Sequence, residues 1–195
     1  MSSVPEPLPL PGDAPDIIAP VHAFRDWRVS DDGLASPRTG VLWTERVMSA
    51  ECRPRTPEAL LAPEHQPPGR ACSCGIHAYF RPNSETSRID FTGVTGIVTV
   101  WGHLAVHENG LRAEFARVEA LGVYRRWTRR QKAVVADVAA SLDIDVVDLA
   151  ELEHSAHRYA TPLPSELIPS PRPRSRSSWN KRPLTVKPRL LLVER

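Results

Sequence analysis

The stretch VTGIVTVWGHLAVHENGLRAEFARVEALGV, from Val94 to Val123, decides the architecture. Between its two halves stands Asn109-Gly110, a pair that tolerates the positive φ angles of a type I′ turn. The reading is an antiparallel hairpin. With a two-residue loop at Asn109-Gly110, Glu108 faces Leu111, Val106 faces Ala113 and Leu104 faces Phe115, which builds an apolar face. Side chains alternate along a strand, so His103, His107, Arg112 and Glu114 gather on the opposite face.

Working outward, HAFRDWRV (His22 to Val29) and GVLWTERV (Gly40 to Val47) read as two further strands around a turn at Asp31-Asp32-Gly33. After Trp127 the apolar period becomes helical. Thr128 with Gln131 forms a capping box, and Val134, Val135, Val138, Ala139 and Leu142 keep one stripe. A short apolar run from Ile144 to Val147 interrupts it. Asp148 with Glu151 offers a second capping box, for a helix reaching about Tyr159, and Pro162 and Pro164 end it.

The chain has 195 residues, 20 of them proline, with a net charge of +2. That length suits one domain with tails, and the prolines crowd the two ends and the region from 54 to 68. The N-terminus has neither a basic stretch nor an unbroken apolar run, which argues against a signal peptide or membrane anchor. Three cysteines without a secretion signal read as reduced thiols or metal ligands rather than a disulfide framework, and the expected location is the cytoplasm. From Pro169 onward eight basic residues face one acidic residue, giving +7, so the remainder carries −5. A nucleic-acid reader usually carries its positive charge on the folded face. Here the charge sits on a Pro/Arg/Ser strip.

Cys52, His65, Cys72 and Cys74 flank one proline-rich loop and are good soft-metal ligands. Zinc favours thiolate and imidazole in a tetrahedral set, and a site filled by four protein ligands is structural rather than catalytic. A loop holding Pro54, Pro57, Pro63, Pro67 and Pro68 has little regular hydrogen bonding, so a metal clip orders it where burial cannot. Gly75 lets the chain turn away after the last thiol. The Cys-Ser-Cys spacing is one residue shorter than the usual knuckle. The alternative is one or two buried core cysteines with a surface histidine.

The runs C…H-x-x-P…C-x-C-G-I-x-A and W-G-x-x-x-x-H-x-x-G-x-R-A-E-x-A resemble those of an uncharacterised family of actinobacterial and actinophage proteins. They stand here as Cys52, HQPP from His65, CSCGIHA from Cys72 and WGHLAVHENGLRAEFA from Trp101. The resemblance covers roughly residues 24 to 122. Relatives typically carry an aromatic residue at the position of His77, which implies Cys52, His65, Cys72 and Cys74 as the ligand set. It also picks out His107, Arg112 and Glu114 as the best functional patch, with His103 outside the pattern. The basic tail lies beyond it, and no activity follows.

His103, His107 and Glu114 could form a two-histidine, one-carboxylate metal site and so a metal-dependent hydrolase. The plainer alternative is the wet side of a hairpin, with Glu114 paired to Arg112 or Arg117. Zinc-deaminase chemistry needs H-x-E followed by P-C-x-x-C, and neither is present. There is no G-x-S-x-G, Walker or G-x-G-x-x-G motif. A helix-turn-helix built on DLAELEHSA would bring acidic residues to phosphate, which repels it. The tail SPRPRSRSSWNKRP offers arginines and Trp179 to a nucleic acid or acidic partner, or is a solubilising extension, and the LLLV ending could add a strand to the sheet edge of a partner.

The expected fold is therefore α+β: a small, mostly antiparallel sheet with a metal-clipped loop and C-terminal helices. The expected division is a disordered tail over 1–20, one domain over 21–160 and a basic Pro/Arg-rich tail over 161–195. The favoured function is a non-enzymatic binding or scaffold module with structural zinc. Nucleic-acid association through the tail is the second reading.

Overall fold

A computed structural model of the chain describes residues 19–30, 32–52, 65–69, 72–82, 93–170 and 189–193, the last for the backbone alone. The predicted tail over 1–20 and the basic stretch over 171–188 lie almost wholly outside them. The fold is mixed α+β, with a mostly antiparallel sheet, few helices and the Cys/His cluster in a loop.

The hairpin forms as β6 (Gly93–Val106) and β7 (Gly110–Val123). Earlier in the chain lie β1 (Val21–Ser30), β2 (Gly33–Ala35), β3 (Leu42–Trp43), β4 (Val47–Ser49) and β5 (Ile76–Tyr79). The hairpin register differs from the expectation by two residues. Val106 faces Leu111 and Leu104 faces Ala113, while the His107 amide donates to the Gly110 carbonyl at 2.8 Å. Glu108 and Asn109 therefore occupy the centre of the turn, and neither Asn109 nor Gly110 takes a positive φ. Gly110 is needed for close approach instead. A Cβ there would lie 2.2 Å from the Ala78 carbonyl oxygen on β5, so Gly110→Ala must push β5 off β7. Overpacking of that kind costs roughly 2–3 kcal/mol, a fall of about 4–12 °C in Tm. Asn109→Ala, at an exposed position, should shift Tm by no more than about 2 °C. Thermal melts of the two variants check this.

Two bulges bend the hairpin. Gly102 and His103 together oppose Glu114, and Gly102 carries the left-handed φ of +77° that such a bulge requires. In the second, Glu119 is the extra residue on β7 between the pairs Ile97–Ala120 and Val98–Val118. It is fully buried and takes hydrogen bonds from Thr99 (2.6 Å), Arg117 (2.7 Å) and Arg46 (2.8 Å).

β1 runs antiparallel to β6 over eight residues, from Val21–Val100 to Arg28–Gly93. β5 pairs with β7 and also meets β1 at Phe24–Tyr79. The strands β1, β6, β7 and β5 thus form a closed circuit. β2 and β3 extend it beyond β1, and β4 continues the β5 side of β7.

Downstream, Thr128 caps α1 (Arg129–Ser141) through the expected capping box. The run after Ile144 becomes β8 (Asp145–Asp148), parallel to β7. The second helix is shorter than its sequence suggests: Asp148 caps a 3-10 turn, Leu149–Glu151, and α2 spans only Leu152–Ala156. β9 (Thr161–Pro162) lies parallel to β1. β10 (Arg189–Val193) lies antiparallel to β6 from Val106 back to Gly102. The apolar ending therefore adds its strand to the chain's own sheet rather than to a partner's.

The main core joins Trp27, Leu34, Trp43, Leu104 and Leu121 to Val135, Val138 and Ala139 of α1, and includes Leu163 and Leu167 beyond the expected domain limit at 160. A smaller core packs Phe24, Ile97 and Ala120 against Leu152 and Ala156 of α2. The hairpin is consequently buried on both faces. The face read as wet is covered where the cysteine loops fold over it, and Arg112 is only 6% exposed. No helix among the described residues is long and apolar enough to cross a membrane.

Candidate metal centre

Three short segments meet above β7. The first leaves β4, and the Ala50 amide donates to the Glu114 carbonyl at 2.7 Å; Cys52 follows two residues later. The second is HQPPG, in which Gln66 donates to Glu114 Oε1 at 2.6 Å and places His65 beside it. The third is CSCG, which leads directly into β5. Gly75 has a φ of +114°, and a Cβ there would press on Arg112 and Pro68, both at 3.0 Å. Glycine is what lets the second cysteine sit so close to the strand.

The donor atoms of Cys52, His65, Cys72 and Cys74 all lie within 4.8 Å of one another. Cys52 Sγ and Cys72 Sγ are 3.7 Å apart, and His65 Nε2 is 3.2 Å from Cys74 Sγ. A tetrahedron with zinc–sulfur bonds of about 2.3 Å has edges of about 3.8 Å, so the spacing suits such an ion. The three thiols are half-buried. The Gly69 amide also donates to Cys74 Sγ at 3.2 Å, a typical support for a thiolate.

Crowding sets the electrostatics. Burial, then the neighbouring Cys72 and Cys74 thiols, pushes the Cys52 thiol up to about 11. Burial also acts on Cys72, but hydrogen bonds from Cys74, Cys52 and His65 outweigh it and bring that thiol down to about 7. Burial raises Cys74 as well, against the Gly69 amide. Three sulfurs this close resist carrying charge together, and a cation among them removes the conflict.

Arg112 braces the cluster from beneath. One Nη donates to the carbonyls of Cys72 and Cys74, the latter at 2.8 Å, and its Nε donates to His107 Nε2 at 3.3 Å. Burial lowers the Arg112 pKa, and the sulfurs of Cys74 and Cys72 work against that. Burial, then the Arg112 charge, lowers the pKa of His107, so its ring stays neutral and able to accept. Glu114 Oε2 takes the His103 amide at 3.0 Å and the ring Nδ1 at 2.9 Å. Burial would raise the Glu114 pKa, but the bonds from the His103 amide, Gln66 and the His103 ring outweigh it and lower it.

Thus the structure brings Cys52, His65, Cys72 and Cys74 together, and places His103, His107, Arg112 and Glu114 as supports of the loops that carry them. Among the described residues the Cys3His set is the one group of three or more such donors close enough to share an ion; His103, His107 and Glu114 do not form another. His77 bonds the Ser73 carbonyl at 3.1 Å and stands outside the set. The sequence reading missed Gln66 and Gly69, although both stand within four residues of His65. Comparison with protein-family models, with curated proteins and with solved structures gave no match.

Proposed function

We propose that this chain is a non-enzymatic binding or scaffold module whose Cys52, His65, Cys72 and Cys74 hold a structural zinc ion. The carrying observation is the convergence of four soft donors within 4.8 Å. Three thiolates and one imidazole saturate a tetrahedral ion, which leaves no position for substrate or activated water. The carboxylate and histidines nearby are engaged in holding loops, so the hydrolase reading lacks its acid and base. The likeness to actinobacterial and actinophage proteins stays part of this proposal on motif grounds alone.

Metal analysis of reduced protein should find one zinc per chain, and none in Cys72→Ser. Cobalt exchanged into the site should give the intense visible bands of four-coordinate cobalt with thiolate ligands. Absence of stoichiometric metal, or a five- or six-coordinate spectrum, would overturn the reading.

A further inference from the structure

The mean charge of the folded part conceals a dense basic patch. The sequence YRRWTRRQK from Tyr124 places Arg125, Arg126, Arg129, Arg130 and Lys132 within eight positions, with no acid among them. The fold concentrates these groups. A turn closed by the Trp127 amide on the Tyr124 carbonyl (3.1 Å) presents Arg125 and Arg126, and the first turn of α1 follows at once with Arg129 and Arg130. All four arginines are exposed.

Physical economy does not explain the arrangement. The start of a helix favours carboxylates, and cations there oppose the peptide dipoles. Yet the first turn of α1 holds no acid. One carboxylate answers the patch, Asp148, bonded to Arg125 Nε at 2.9 Å. Among the described residues no carboxylate pairs with Arg126, Arg129 or Arg130. At Arg129 and Arg130 the helix-start rule is broken with no carboxylate in return among the described residues, which marks positions suited to a ligand.

We infer that this patch, on the folded domain and distinct in sequence from the metal ligands and the basic tail, binds the phosphate backbone of a nucleic acid. Four of the five cations are arginines, whose planar forks match phosphate oxygens. Two of them are held ready: Asp148 orients Arg125, and Arg126 lies over the Tyr124 ring at 5.0 Å. Trp127 packs beside Tyr124 with ring centroids 5.4 Å apart, which stiffens the turn. A lipid surface is the poorer match, because the stretch exposes no large apolar side chain for insertion.

The test uses the full chain and fluorescently labelled DNA of about 20 nucleotides, single-stranded and duplex, over a salt series. The variant Arg125→Gln/Arg126→Gln/Arg129→Glu/Arg130→Glu should lose at least about tenfold in affinity, and its duplex salt slope should fall by about 3 to 4. Its Tm should stay level or rise, since two carboxylates now meet the helix start. Stability and binding thus move in opposite directions, which separates the effect from unfolding. A second full chain with Arg172, Arg174, Arg176, Lys181 and Arg182 changed to Gln should keep the dependence on the patch. The inference fails if wild type binds neither form of DNA, if the patch variant binds with unchanged affinity and slope, or if polyglutamate or phosphatidylserine vesicles are bound more tightly than DNA.

Discussion

Replacing Cys72 with serine should lower Tm by about 8–16 °C, and a chelator should do the same to the wild type while leaving the variant unchanged. With free zinc about 1,000-fold above its Kd, binding to the folded state alone adds about 4 kcal/mol. A chain of this size loses about 2–4 °C per kcal/mol. The loop has few other resources. Pro54, Pro57, Pro63, Pro67 and Pro68 lack amide donors, and without the ion three crowded sulfurs face one another. The rest of the sheet has its own core, so the protein should remain folded at 25 °C with the loop loosened. Scanning calorimetry with and without chelator reads the effect, and coincident melts would defeat the proposal.

Arg112→Met should weaken zinc binding by about 10- to 100-fold and cost about 3 kcal/mol even in excess chelator. The guanidinium is buried and spans the carbonyls of both Cys72 and Cys74. Its removal leaves two part-buried acceptors without their donor, each toward the lower end of the roughly 1–3 kcal/mol that a buried unpaired group costs. Groups one step behind a metal set its ligand geometry, which is the source of the affinity loss. Arg112→Lys should recover little, because a point donor on a flexible stem does not reproduce the planar fork that also reaches His107. Competition against a chromophoric zinc chelator measures the first effect and melts in excess chelator the second. Zinc affinity equal to wild type would remove Arg112 from the metal centre.

The candidate ligands were legible in the sequence because thiol and imidazole chemistry needs little context. The hairpin was legible too, since a register shift of two residues leaves the period-two alternation of faces intact. What failed was local. Asn109-Gly110 looks like an I′ turn, but Gly110 is selected by contact with Ala78, a residue 32 positions away that no short-range rule sees. The bulge at Gly102 then aims Glu114 at Gln66 and at the His103 amide, so a face expected to be wet became the floor of the cysteine loops. The helix after Asp148 shortened because it opens as a 3-10 turn over Leu149–Glu151 and closes in tight turns, with the Arg158 amide on the Ser155 carbonyl and the Tyr159 amide on the Ala156 carbonyl. YRRWTRRQK was visible throughout, yet averaging charge over the whole body hid it.

The pairing of β10 with β6 has a practical consequence. Between Gly102 and Val106 the outer side of β6 is completed by residues 189–193 and, among the described residues, by no other strand. Cutting the protein before Arg189 would strip that margin and offer five residues of open backbone to whatever strand arrives, including one from a neighbouring copy. Self-association of a shortened chain would then reflect the missing seam rather than a lost ligand. The charge of the preceding stretch is best erased side chain by side chain, with the last strand left in place.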